Sequence, residues 1–142
     1  MTKKYKPLLD KLFWLIWIPT SILLILATII SVSYVSALII LLATDVFSFY
    51  FMLSSIAGYV ELRESSLFIK FGFVVTREIP YEKITKISKM RRFYTDSLLS
   101  LKNSMEHVDI RYNSFDTVCV SVVGNDELIE ELEKRISLSR KA

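Results

Sequence analysis

Six basic residues between positions 77 and 92, followed by two aromatic residues, are the side chains best suited to binding an anionic ligand. Guanidinium and ammonium groups attract anions, and amphipathic aromatic rings favour the boundary between lipid headgroups and hydrocarbon. We interpret the set as a surface for anionic lipid headgroups or a membrane protein partner, and the alternative is an ordinary solvated strand face. The set comprises Arg77, Lys83, Lys86, Lys89, Arg91, Arg92, Phe93 and Tyr94.

Asp45 is the only charged residue in the apolar stretch Leu12–Ala57. A carboxylate near the centre of a bilayer costs a few kcal/mol. One interpretation is an intramembrane functional group that senses a ligand, an ion or a proton, or that contacts a partner helix. The other is a protonated or hydrogen-bonded acid that faces Thr20, Ser21 or Thr28 of a neighbouring helix. No second acid or base in the stretch completes a proton relay.

Histidine and cysteine occur once each, as His107 and Cys119. This supply is too small for a Cys/His zinc site or a Cys–His nucleophile. We predict that His107 lies at the surface or rim and that Cys119 is a small buried strand residue. The glycines, Gly58, Gly72 and Gly124, are too sparse for a phosphate-binding loop. We therefore expect neither catalysis, nor a cofactor, nor a metal site.

The charge of the chain is concentrated near its N-terminus. The formal net charge is +3, and the excess comes mostly from Lys3, Lys4, Lys6 and Lys11. A nucleic-acid-binding protein would carry its basic excess on the folded domain, so we exclude nucleic acid as a partner. With a single cysteine, the chain forms no internal disulfide.

Leu12–Ala57 is predicted to form a two-helix transmembrane hairpin. The hydrocarbon core of a bilayer is roughly 30 Å thick and requires about 20 apolar residues per helix. Leu12–Ile30 and Ala37–Ile56 meet this requirement, and the serine-rich segment 31–36 supplies the turn. Basic residues that flank a span remain in the cytoplasm. We therefore predict a multi-pass protein of the plasma membrane, in which residues 1–11 form a basic cytoplasmic tail and residues 58–142 form a cytoplasmic domain.

The region 58–142 changes to the pattern of an α+β domain. Apolar and polar residues alternate at period two, which is typical of half-buried strands, and then recur at helical spacing from Leu128 to Ile136. We predict six or seven short antiparallel strands, forming a small barrel or a pair of sheets, and one C-terminal helix capped by Asn125 or Asp126. Ser97–Leu101 is interpreted as an apolar loop or turn. Strands are predicted at Tyr59–Arg63, Leu67–Phe71, Phe73–Ile79, Lys83–Met90, Val108–Tyr112 and Thr117–Val123.

The order of several short motifs resembles the bacterial pleckstrin-homology-like domains, in particular the small membrane-anchored group related to YyaB. The motifs are Leu67–Gly72, Ile79–Ile84, Ser97–Leu101 before Val108–Tyr112, and Val118–Ser121 before Leu128-Ile129. The chain departs from the family at Lys102-Asn103, where the family often has Asp-Arg, and at Val122, where it often has proline. The resemblance implies a PH-like barrel behind a membrane anchor and a binding or scaffolding role.

Two functions are consistent with these features. The first is a membrane-anchored binding module, without enzymatic activity, at the cytoplasmic face of the membrane. The alternative is an immunity protein that protects the cell against a membrane-active antimicrobial peptide, which the small size, the hairpin anchor and a resemblance to PH-like immunity proteins suggest. The sequence does not choose between them.

Overall fold

The computed structural model describes residues 2–95, 97 and 99–141. Two long apolar helices come first, and an α+β domain follows them. The helices are α1 (Lys11–Ile30), α2 (Val35–Ala57) and α3 (Asn125–Ser139). The strands are β1 (Lys3–Tyr5), β2 (Tyr59–Leu62), β3 (Ser66–Lys70), β4 (Thr76–Pro80), β5 (Ile84–Arg91), β6 (Leu99–Leu101), β7 (Glu106–Tyr112) and β8 (Asp116–Val120).

Helices α1 and α2 form the predicted hairpin of two apolar helices. The stretches Lys11–Ser33 and Val35–Ala57 are 23 residues each, with mean hydropathy 2.4 and 2.0, and no residue in the most apolar window of either stretch is buried. By length and composition both can cross a membrane. Pro19 lies inside α1, which continues past it to Ile30. The predicted bounds were correct to within two residues.

The strands form two four-stranded sheets, with the orders β1-β2-β3-β4 and β5-β7-β8-β6. Neighbouring strands are antiparallel except for β6 and β8, which are parallel. Apolar side chains from both sheets, such as Ile69 and Ile110, share one core with Leu128 and Leu132 of α3. This arrangement confirms the predicted PH-like domain. The described residues form a sandwich of two sheets and not a closed barrel.

The first residues of the chain belong to both sheets, which the sequence did not predict. Lys3 pairs with Leu62 and Tyr5 pairs with Val60, so β1 completes the first sheet, and Tyr5 is buried in the core. Pro7 then pairs with Val122 beyond the end of β8. The apolar hairpin is therefore inserted between two strands of the same sheet, β1 and β2.

Three local predictions were wrong. The strand expected at Phe73–Ile79 begins only at Thr76, because a turn comes first, in which Gly72 has a φ of 116°. The loop expected at Ser97–Leu101 contains strand β6, while Leu98 lies outside the described residues.

The predicted cap of the C-terminal helix was also wrong. Gly124, with a φ of 88°, occupies the N-cap position of α3 in place of Asn125 or Asp126. The side chain of Asn125 instead accepts a hydrogen bond from the backbone N–H of Val122, at 2.9 Å. It therefore stabilises the turn that leads from β8 into α3.

Candidate functional site

The two ends of the apolar hairpin meet the PH-like domain at Asp10. Asp10 Oδ1 accepts a hydrogen bond from Leu12 N at 2.8 Å and so caps α1, while Oδ2 accepts one from Met105 N at 3.3 Å. Burial raises the pKa of this carboxyl, but hydrogen bonds from Ser104, Met105, Phe13 and Leu12 outweigh burial and lower its pKa below 3.8. One carboxylate thus links the start of the hairpin to the domain.

The end of α2 is held against the domain by close contacts. Asn103 Nδ2 donates a hydrogen bond to the carbonyl of Ser55, at 3.1 Å. Gly72 lies so close to α2 that an added Cβ would be 1.9 Å from Ser54 Oγ. The Phe73 ring packs beside Tyr50, with 5.6 Å between the ring centroids. The β3–β4 turn therefore lies alongside the last turns of α2.

Two loops with exposed apolar side chains lie beside the hairpin. In the β3–β4 turn, Phe73, Val74 and Val75 are all exposed, and Val74 is 76% exposed. After β5, Phe93 and Tyr94 are 69% and 63% exposed. Phe93 also lines a groove of about 300 Å³ against the first turns of α1, together with residues such as Phe13 and Trp17. The side of the domain nearest the hairpin therefore carries exposed apolar side chains.

Four of the predicted surface residues lie together at this end of the domain. Arg91 pairs with Glu106, immediately after Met105, which contacts Asp10. The neighbouring Arg92 donates to Asp109 Oδ2 at 2.9 Å, and its guanidinium lies 4.9 Å from the centre of the Tyr94 ring. The segment 91–94 is thus a basic and aromatic surface beside the hairpin.

The other four predicted residues lie elsewhere. Lys83 and Lys86 are at the opposite end of β5, where Ile84 pairs with Tyr112. At about 3.3 Å per residue, they are on the order of 15–25 Å along the strand from Arg91. The structure therefore does not bring all eight residues into one surface.

Lys89 and Arg77 each contact another group of the domain. Lys89 Nζ contacts Asp126 Oδ1 at 2.7 Å, and this carboxylate raises the pKa of the lysine. Arg77 lies on the other sheet, 5.6 Å from the centre of the Tyr112 ring.

Three lysines that were not included in the predicted surface lie at the base of the hairpin. Lys4 Nζ is 3.6 Å and Lys70 Nζ 5.9 Å from the centre of the Tyr59 ring, and Tyr59 follows α2 almost directly. Lys11 is the exposed first residue of α1. The position of Tyr59 just after the apolar stretch could have indicated this group. We use the term basic collar for Lys4, Lys11, Lys70, Arg91 and Arg92.

Asp45 connects the two apolar helices. Thr28 Oγ1 of α1 donates a hydrogen bond to Asp45 Oδ2 of α2, at 2.8 Å. The other carboxylate oxygen is buried and has no hydrogen-bond partner among the described residues. This contact matches the interpretation in which a hydrogen-bonded acid faces Thr28, and a functional role for Asp45 stays a prediction.

A buried polar cluster lies on the face of the second sheet that points away from the core. Val108 and Ile110 of β7 point into the core, so His107 and Asp109 point to the opposite face, next to Cys119 of β8. Cys119 is fully buried, as predicted. His107 is also fully buried, so its predicted surface position was wrong.

The environment of the cluster determines its chemistry. Burial raises the pKa of the Cys119 thiol to about 11, so this thiol is protonated at neutral pH and is a poor nucleophile. His107 Nε2 lies 3.5 Å from Asp109 Oδ1. One ligand atom from each of the three residues can be chosen so that all lie within 4.8 Å of one another. Among the described residues, this cluster is a set of side chains that could hold a metal ion.

The chain belongs to the family of bacterial PH domains, whose sequence pattern matches residues 58–136. This match covers more than half of the chain and the strands from β2 onward, together with most of α3. Neither a curated protein nor a solved structure matches the chain significantly. PH-like domains are generally binding modules without catalytic activity, and the family therefore indicates a binding or scaffolding role.

Proposed function

We propose that this protein is a membrane-anchored PH-like module whose basic collar and two apolar loops contact anionic lipid at the cytoplasmic face of the plasma membrane. The observation that carries the proposal is the position of these groups beside the ends of the hairpin. If α1 and α2 cross the bilayer, the β3–β4 turn and the segment 91–94 lie at its surface. The role is binding or scaffolding, without catalysis.

The electrostatics of this position favour an anionic leaflet. A basic side chain near such a surface contributes about 1 kcal/mol, and the attraction falls off within roughly 10 Å in physiological salt. Lys83 and Lys86 are at the far end of β5, so the leaflet should attract them less strongly than it attracts the collar. Arg92 contributes less because Asp109 already neutralises part of its charge.

Because the hairpin anchors the domain to the membrane, a surface with only weak affinity for lipid is sufficient for binding. A tethered domain meets the membrane at a high effective concentration, so each contact with a headgroup needs little affinity of its own. The exposed Phe93, Tyr94 and Phe73 add the aromatic groups that favour the interface. The lysines before α1 favour an N-terminus in the cytoplasm, and a hairpin that crosses the membrane twice would return residues 58–142 to the same side.

Charge reversal in full-length protein tests the proposal. Lys11→Glu with Arg91→Glu removes two collar charges, and Lys83→Glu with Lys86→Glu is the matched control at the far end of β5. A fluorescent probe attached at Tyr94→Cys would be monitored in nanodiscs that carry a headgroup quencher, with neutral or anionic lipid. We expect anionic lipid to increase quenching in the labelled chain without charge reversal and in the control variant, and not in the collar variant.

Equal quenching in neutral and anionic nanodiscs would contradict the lipid surface. Equal losses in the collar and control variants would show that net charge matters and position does not. The immunity function stays an alternative prediction, which a survival assay against membrane-active peptides would test.

A further inference from the structure

We propose that His107, Asp109 and Cys119 form a zinc-binding site between β7, β8 and the segment that follows β5. Neither the family nor the proposed lipid surface assigns this site. His107 and Cys119 are fully buried and the Asp109 side chain is nine-tenths buried, and two of their polar atoms, His107 Nε2 and Asp109 Oδ1, have no hydrogen-bond partner in the described part of the chain.

The hydrogen bonding of His107 determines which nitrogen is free. His107 Nδ1 lies 3.0 Å from the carbonyl oxygen of Met105, and a carbonyl only accepts, so Nδ1 carries the proton. A ring whose only proton is on Nδ1 has a lone pair at Nε2, and Nε2 faces the carboxylate oxygen Asp109 Oδ1. Two buried acceptors that face each other are unfavourable unless a proton or a cation lies between them.

The observed distance between His107 Nε2 and Asp109 Oδ1 fits a bridging metal ion better than a shared proton. Nε2 and Oδ1 are 3.5 Å apart, which is longer than a normal hydrogen bond. With zinc–ligand distances of about 2.0 Å, two ligands of a tetrahedral ion are roughly 3.3 Å apart, close to the observed separation. A small inward movement of Cys119 Sγ would complete three protein ligands, because one potential ligand atom from each residue already lies within 4.8 Å of the other two.

The donor set selects the metal. One imidazole nitrogen, one carboxylate oxygen and one thiolate sulfur suit Zn²⁺, whereas Mg²⁺ and Ca²⁺ prefer oxygen ligands alone. Cys119 binds as a thiolate, so its thiol proton passes to solvent when the ion enters. Three protein ligands leave the fourth tetrahedral position for water.

Neighbouring groups already orient two of the ligands. The Met105 carbonyl fixes the orientation of the His107 ring, and Arg92 binds Asp109 Oδ2, so that Oδ1 is the oxygen available to the ion. Such outer contacts are the usual supports of metal ligands. The guanidinium of Arg92 repels a cation, and the two negative charges of the carboxylate and the thiolate offset this repulsion. The site would fix Arg92 and the adjoining Phe93 against the sheet.

The test uses full-length protein in detergent, stripped with a chelator and then equilibrated with Zn²⁺ or Co²⁺. Bound zinc is measured by mass spectrometry after removal of free ion, and the cobalt form by its thiolate-to-metal charge-transfer absorption. Because Cys119 is the only cysteine, a thiolate band in the wild type can come from no other residue. This readout requires no variant that might fail to fold.

We expect about one zinc ion per chain, a thiolate–cobalt band, and a rise in thermal stability with zinc. Cys119→Ser and His107→Gln should lose the bound ion, whereas the control Asp116→Asn, which changes an exposed carboxylate of β8, should retain it. A folded wild type that binds no zinc, or a cobalt form without a thiolate band, would overturn the proposal and would leave the lipid surface untouched.

Discussion

Replacement of Asp10 by alanine should weaken the attachment of the hairpin to the PH-like domain. The carboxylate caps α1 through Leu12 N and also accepts a hydrogen bond from Met105 N. Loss of an N-cap costs about 1 kcal/mol, and loss of a hydrogen bond to a half-buried N–H costs about 1 kcal/mol more. We therefore expect Asp10→Ala to lower the free energy of unfolding by about 2 kcal/mol, and Asp10→Asn by less, because asparagine is also a good N-cap.

Trp14 and Trp17, near the start of α1, provide the assay. Trp17 lines the groove that contains Phe93 and Lys102, so its fluorescence reports contact between the hairpin and the domain. Urea titration of the detergent-solubilised protein would give the free energy for each variant. A loss below about 0.5 kcal/mol for Asp10→Ala would refute the role of this carboxylate.

The stabilisation contributed by Asp10 should decrease at acid pH. Hydrogen bonds, opposed by burial, lower the pKa of Asp10 in the folded protein below its ordinary value of 3.8. A lowered pKa means that the unfolded chain binds the proton more tightly, so the stabilisation is fully present above about pH 4 and is lost as the pH falls through the folded pKa. In Asp10→Asn, this acid-dependent loss should be absent from the stability profile.

Three further substitutions, one of them paired with a compensating change, test the contacts around the hairpin. Tyr5→Ala should cost about 3 kcal/mol in thermal unfolding, because it empties a buried position of β1, and an unchanged melting temperature would contradict the role of β1. Gly72→Ala should cost about 1–3 kcal/mol, because the added Cβ would clash with Ser54 and the φ of 116° disfavours alanine. Ser54→Gly in the same chain should restore only the part due to the clash. Thr28→Val removes the hydrogen bond to Asp45 and should cost about 0.6–2 kcal/mol in steric-trap unfolding of the hairpin, and no loss would show that the contact is not formed in lipid.

The apolar helices and most strands could be predicted because their signals are local. The length of Leu12–Ile30 follows from bilayer thickness, and the alternation in Val108–Tyr112 follows from burial of one strand face. Strand β1 could not be predicted, because three residues carry no periodic signal and their pairing with β2 spans the whole hairpin.

The candidate sites depended more strongly on tertiary structure. The collar requires Lys4 and Lys70 to approach the Tyr59 ring from two different strands, which no local pattern encodes. His107 looks like a rim residue in the sequence because it starts a strand. It is nevertheless fully buried, on the sheet face where Arg92, just after β5, donates a hydrogen bond to the neighbouring Asp109.

Topology is the measurement that tests the central claim most directly. Ser33→Cys places a thiol in the turn between α1 and α2, and Ser137→Cys places one on the exposed side of α3. A membrane-impermeant maleimide would be applied to intact and to permeabilised cells, with the wild type as the control for buried Cys119. We predict that Ser33→Cys is labelled in intact cells and that Ser137→Cys is labelled only after permeabilisation. Labelling of Ser137→Cys in intact cells would contradict a hairpin that presents the PH-like domain to the cytoplasmic leaflet.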